Sequence, residues 1–151
     1  MAQLNYPMLI ATTATATEMS GCLVGFHTQC SIDPLRMMVC ISRRNRTCEV
    51  ATRSDLLAVH FLDEADHALS VLFGEETGHT TDKFTKCTWT SRHGIPILTE
   101  ARAWMIGRVL ERMDLGDHVG YLLEPVDAHL SGRLNQLSFQ HVSDMKPGNS
   151  A

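Results

Sequence analysis

The sequence predicts a mainly β protein, a β-barrel with short peripheral helices. Three observations lead there. Strand-length apolar and β-branched runs recur along the first half, at Tyr6 to Thr13, Ser20 to Gln29, Arg36 to Ser42 and Leu56 to Leu62. The helical stretches between them are few and short. A long alternating run, Trp104 to Met113, turns through Asp114-Leu115-Gly116-Asp117 into its hairpin partner, His118 to Ala128. The chain has 151 residues, which suits one domain with one core. The same pattern admits a sandwich, and it sets neither the closure of a barrel nor its strand order.

Each element has a local reason. Ala14 to Ser20 is small and polar and turns the chain after the first strand. Pro34 stops the ladder that follows the second strand. Arg36 to Ser42 is continuously apolar at its centre, as a strand buried on both faces requires. Asn45 is placed to cap a short helix from Arg46 to about Ser54. Asp63 caps a second helix, Glu64 to Phe73, with Ala65, Leu69, Leu72 and Phe73 on one face and Gly74 at its end. Glu75 to Thr81 is a polar loop, and Asp82-Lys83-Phe84 opens another short helix. Cys87 to Ser91 and Ile95 to Leu98 read as short strands around a turn at Arg92-His93-Gly94. The expected domain covers residues 1–128. Residues 129–151, polar and Gly/Pro-bearing, form a C-terminal extension that is either loose or packed on a second subunit.

Bulk properties exclude several partners. A formal charge of −4 leaves no basic footprint for nucleic acid. No apolar run approaches the ~20 residues of a membrane span. The start lacks the basic region of a signal peptide, so a cytoplasmic location is expected. The five cysteines show no CxxC spacing, against both a zinc site and a disulfide framework. The eight histidines are scattered, and no metal site is expected.

Three segments carry chemistry. The strand end from Gly25 to Ser31 gathers hydroxyls and an amide with little bulk, a place to lay a flat polar ligand. Ser42-Arg43-Arg44-Asn45-Arg46-Thr47 brings hydroxyls, an amide and guanidinium groups to a strand-to-helix junction, the donor set a phosphate monoester needs. In Gly116-Asp117-His118 the glycine permits a tight bend and Asp117 can orient the imidazole. There is no GxSxG elbow, Walker A loop or GxGxxG fingerprint.

In this order, from about Tyr6 to Ala128, the segments resemble the flavin reductase-like family, whose members bind FMN on a split β-barrel. The matching pieces are Gly21 through Thr28 with Ser31 and Pro34, then Met37 to Thr47. Asp82-Lys83-Phe84, Gly94-Ile95-Pro96-Ile97-Leu98 with Ala103-Trp104, and Gly116-Asp117-His118 follow. The resemblance implies a Greek-key-like split barrel and a site for FMN. The flavin ring would lie against Gly25, Phe26, His27, Thr28, Cys30 and Ser31. The phosphate would sit on Ser42, Asn45 and Thr47 with Arg43 nearby, and Phe84 would also contact the cofactor. His118 would position the nicotinamide of NADH or NADPH. The resemblance further implies a homodimer and a flavin-dependent monooxygenase as the consumer of reduced flavin. A non-catalytic flavoprotein for storage or electron transfer, or a barrel using FAD or a deazaflavin, stands as the alternative. The chain departs from the family pattern in two places. Gly25 and Phe26 replace serines and His27 replaces an aromatic residue, while Pro34-Leu35 stands where many members carry two prolines.

Overall fold

The computed structural model describes Met1 and residues 3–149. Its main element is a seven-stranded sheet in the order β2-β1-β5-β8-β9-β4-β3. The strands are β1 (Leu9–Ala14), β2 (Met19–Val24), β3 (His27–Ile32), β4 (Leu35–Ser42), β5 (Leu56–Phe61), β8 (Ala103–Asp114) and β9 (His118–Leu130). Laid flat, such a sheet would span about 29 Å across its strands. Instead Leu9 of β1, Cys22 of β2, Val39 of β4, Val59 of β5, Met105 of β8 and Tyr121 of β9 meet in one cluster. The sheet therefore curls around a single interior, as in a barrel, although no ladder joins its edge strands β2 and β3.

Those two edge strands are consecutive in the chain. The single strand expected from Ser20 to Gln29 is broken at Gly25-Phe26, where the chain leaves β1 and passes to β4. Gly25 permits the crossing, because a Cβ there would lie 2.9 Å from the Tyr6 ring. The Cys40 N–H donates to the Phe26 carbonyl at 2.9 Å and holds the corner against β4.

Burial corrects one strand reading. β4 alternates, with Met37, Val39 and Ile41 inward and the residues between them partly exposed. The strand covered on both faces is β1. Its two buried threonines are satisfied, since Thr12 Oγ1 donates to the Pro96 carbonyl and Thr13 Oγ1 to that of Leu56. One cover is the hairpin of β6 (Trp89–Arg92) and β7 (Ile95–Leu98). Its turn has positive φ at His93 and Gly94, 52° and 78°, the pairing a two-residue primed turn demands. α2 (His67–Glu75) covers the same face beside the hairpin, through Leu69 and Phe73 on Met8, Ile10 and Leu62, while Leu9 and Ala11 on the opposite face point into the barrel interior.

The helices differ in detail from expectation. α1 (Arg46–Ala51) is shorter, and Asn45 stands at its N-cap position without a side-chain capping bond. Asp63 does cap, but it opens a 3₁₀ turn, Glu64–Asp66, that leads into α2. Gly74 lies inside α2, where a Cβ would come 2.8 Å from Leu23 and from Met145. Its role is close packing, not termination. β9 runs through the expected boundary at 128 to Leu130. Beyond it, Leu137 and Val142 are buried with α2, and the Phe139 ring stacks on Tyr6 at 5.0 Å. No described helix is long and apolar enough to cross a membrane.

His60 of β5 ties these layers together. It is fully buried; its Nδ1–H donates to the Ile10 carbonyl (3.1 Å) and its Nε2 accepts from the Leu98 N–H (3.0 Å). The bond that Nε2 accepts needs the neutral ring, and burial pushes its pKa down to about 4. The unfolded chain takes up this proton near pH 6.5, so stability is full above that pH and is lost as pH falls toward 4. The expected loss from this group is about 3 kcal/mol by pH 4. Urea denaturation of the protein and of His60→Gln between pH 7.5 and 4 checks this. Equal pH slopes in the two proteins would contradict it.

Candidate active site

Antiparallel pairing of β4 with β9 sets the centre of the site. Ser42, the last residue of β4, lies opposite His118, the first of β9. Gly25, Phe26, Cys40 and Asn45 join them around a pocket of about 170 Å³. Its aromatic wall comes from distant parts of the chain. The Phe26 ring lies 5.1 Å from His118 and 6.2 Å from Tyr6, and Tyr6 stacks on Phe139. Phe26 is 53% exposed, so it offers a face to a flat ligand.

His118 is held in place. Its Nδ1 lies 2.7 Å from the Asp117 carboxylate, and this hydrogen bond holds the Asp117 pKa below the usual carboxylate range. The bond places the proton on Nδ1 and leaves Nε2 to accept from a ligand. The turn beneath is fixed as well. Gly116 has φ +92°, and its N–H donates to Asp114. Arg43 donates from Nε to the Gly116 carbonyl and pairs with Asp114, both at 2.9 Å. The Gly116 N–H and, second to it, Arg43 lower the Asp114 pKa.

These contacts sort the site residues expected from sequence. Gly25, Phe26, Ser42, Asn45 and His118 share the pocket. Thr28 and Cys30 are exposed on the edge strand β3, and Ser31 is half-buried there. The β3–β4 register shifts between Gln29 and Ser31, which makes Cys30 the bulged residue. His27 is turned to the N-terminal segment, where Nε2–H donates to the Pro7 carbonyl at 2.8 Å. Arg43 serves the turn. Thr47 is 1% exposed and pairs with the Ser20 hydroxyl at 3.0 Å, inside the protein. Phe84 is buried between Phe73 and Trp89 and borders a separate cleft. Arg46 is matched by Glu18 and Glu49, and Arg53 also pairs with Glu18. The basic segment is therefore largely neutralised from within.

Tyr6, Cys40 and Phe139 are pocket residues that the local pattern does not mark. The Tyr6 and Phe139 rings come from opposite ends of the chain. A flavin fits the donor set: a hydroxyl at Ser42, an amide at Asn45, an exposed ring at Phe26 and the rim of β3. The pocket is smaller than the ~300–1,000 Å³ usual for such ligands, so it takes only part of one. The remainder would lie along the open edge of β3.

Residues 1–144 match the flavin reductase like domain. The chain belongs to this family. A stachydrine N-demethylase reductase subunit from Rhizobium meliloti (strain 1021) is 28% identical over 93% of this chain and 61% of its own length. An FMN reductase (NADH) from Bradyrhizobium diazoefficiens is 27% identical over 78% of this chain and 66% of its own. The chain thus spans about three fifths to two thirds of these curated relatives. The styrene monooxygenase flavin reductase of Pseudomonas putida S12 shares the fold, with a TM-score of 0.78 at 22% identity over 91% of this chain and 88% of that one. The flavin reductase-like fold is the split barrel that the sequence resemblance implies, here with its sheet left open between β2 and β3.

Proposed function

We propose that the protein is an NADH-dependent FMN reductase that supplies reduced flavin or electrons to an oxygenase partner. The observation that carries this is the meeting of His118, Phe26, Ser42 and Asn45 in one pocket beside an open strand edge. Two relatives support it by name, one as an FMN reductase (NADH) and one as the reductase subunit of a demethylase.

Bound FMN supplies the hydride acceptor for NADH. The protein binds and orients. Ser42 Oγ accepts from the Arg44 N–H at 3.3 Å, which leaves its own proton for a phosphate oxygen. Asn45 adds an amide donor. The bulged β3 edge offers backbone groups to a flat polar ring. His118, fixed by Asp117, positions the nicotinamide carboxamide and needs no proton transfer of its own. Tyr6 and Phe139 keep water from one side of the pocket.

The protein is a homodimer in this reading. Ile32 and Leu35, at the β3–β4 turn, are 84% and 46% exposed. Leu110 and Val126 are exposed on the neighbouring strands β8 and β9. This apolar band, at the end of β4 away from Ser42 and His118, fits a homodimer face. All five cysteines are free thiols, consistent with a reducing cytoplasm.

Fluorescence titration with FMN and with riboflavin tests the phosphate site. FMN is expected to bind at least about tenfold tighter, the worth of one charge-assisted hydrogen bond. Equal affinities would place the phosphate outside Ser42–Asn45.

A further inference from the structure

The C-terminal segment reaches the proposed phosphate site at Asn149. Its backbone is fastened to the end of α2: the Gly148 N–H donates to the Gly74 carbonyl at 3.0 Å, and the Lys146 N–H to the Glu75 carboxylate at 3.3 Å. A Cβ on Gly148 would lie 2.5 Å from the Glu75 carbonyl oxygen, so strap and helix end touch backbone to backbone. One residue on, Asn149 joins a directed series of hydrogen bonds. The His79 N–H donates to Thr77 Oγ1 (3.3 Å), and the Thr77 hydroxyl donates to Asn149 Oδ1 (2.9 Å). Asn149 Nδ2 then donates to Asn45 Oδ1 (2.8 Å).

The direction of this series decides what Asn45 shows to the pocket. A side-chain amide ends in one acceptor and one donor. The Thr77 hydroxyl donates to the Asn149 oxygen, which turns the Asn149 amino group to Asn45, so the Asn45 oxygen faces the strap. Its amino group is the end left for the pocket, where it suits an anion.

We propose that Asn149 is a positioning residue for the flavin phosphate: it holds Asn45 with its donor toward the ligand. The proposal rests on Asn45 contacting the phosphate. It makes the C-terminal strap, which lies outside the segments that mark the family, part of cofactor selection.

The test compares FMN with riboflavin, which lacks the phosphate, in the 151-residue protein and its variants. Asn149→Ala is expected to weaken FMN about three- to tenfold and to leave riboflavin within about twofold. Thr77→Val, which removes the group that orients Asn149, is expected to weaken FMN in the same selective way. Asn149→Asp is expected to be worse for FMN than Asn149→Ala, because a carboxylate only accepts and turns the Asn45 oxygen toward the phosphate. Unchanged FMN affinity in Asn149→Ala, or equal weakening of FMN and riboflavin, would overturn the proposal. Failure of the underlying reading looks different: the unmodified protein would then not prefer FMN over riboflavin at all.

Discussion

Replacing His118 with alanine is expected to raise the KM for NADH about ten- to a hundredfold, with FMN binding within about threefold of the unmodified protein. The imidazole sits at the first residue of β9, opposite Ser42, with its ring 5.1 Å from Phe26. It is the side chain of the pocket whose orientation is fixed by a neighbouring carboxylate, Asp117 at 2.7 Å. A group that places the donor ring acts on nicotinamide approach and little on flavin affinity, which the proposed site assigns to Ser42, Asn45 and the β3 edge. Asp117→Asn is expected to give a smaller rise in KM, since an amide oxygen still accepts from Nδ1–H but carries no charge. Steady-state kinetics at saturating FMN, paired with FMN titration, separate the two effects. Parallel losses in NADH KM and FMN affinity would make His118 a flavin-binding residue and not a positioner of the nicotinamide.

Lys83→Met is expected to destabilise the fold by about 3 kcal/mol, through two buried carbonyls left without a donor. Lys83 is 4% exposed, and its ammonium donates to the carbonyls of Gly21 and Phe73, each at 3.1 Å. One lies in β2 and the other in α2, so the bonds clamp the helix to the sheet edge. A Cβ on Gly21 would lie 2.7 Å from the Phe73 ring, which shows how close the two elements run. Burial lowers the Lys83 pKa, while the charge of Glu76 opposes that shift. Cys22 stays a neutral thiol, its pKa pushed up to about 11 by burial. Methionine keeps the length and the apolar stem but offers no proton. Thermal unfolding is expected to fall by roughly 6–12 °C for a chain of this size. A change under about 1 kcal/mol would show that the carbonyls find other partners.

Much of the barrel was legible because strand periodicity is local. β1, β4, β5 and the β8–β9 hairpin follow from runs a few residues long, and the turn at His93-Gly94 from its residue types. The bend at Gly25 was not, since the reason for that glycine is Tyr6, far away in the chain. Burial on both faces was read for β4 and not for β1, for a related reason. Threonine looks half-polar in sequence, but Thr12 and Thr13 are buried because β7 and β5 supply their acceptors. The tail was read as loose or packed on a second subunit because Leu137, Phe139 and Val142 have no shared period, whereas the structure brings all three onto the α2 side of the chain's own core.

The site divides the same way. Ser42, Asn45 and His118 lie in short segments whose composition shows a donor set, and pairing of β4 with β9 gathers them. Thr47, Arg43 and Phe84 belonged to the same sequence patterns. Their side chains are taken by Ser20, by Asp114 with the Gly116 carbonyl, and by Phe73 with Trp89. No inspection of the segment itself reveals those partners. Asn149 is the converse case, a residue in an unremarkable tail that the fold carries to Asn45.

The most direct measurement is anaerobic absorbance spectroscopy of the purified protein with FMN, followed by NADH. The expected result is FMN binding, then loss of the oxidised flavin band over many turnovers, with NADH effective at lower concentration in the unmodified protein than in His118→Ala. Bound FMN that NADH leaves oxidised would contradict the reductase function and make the protein a flavin carrier.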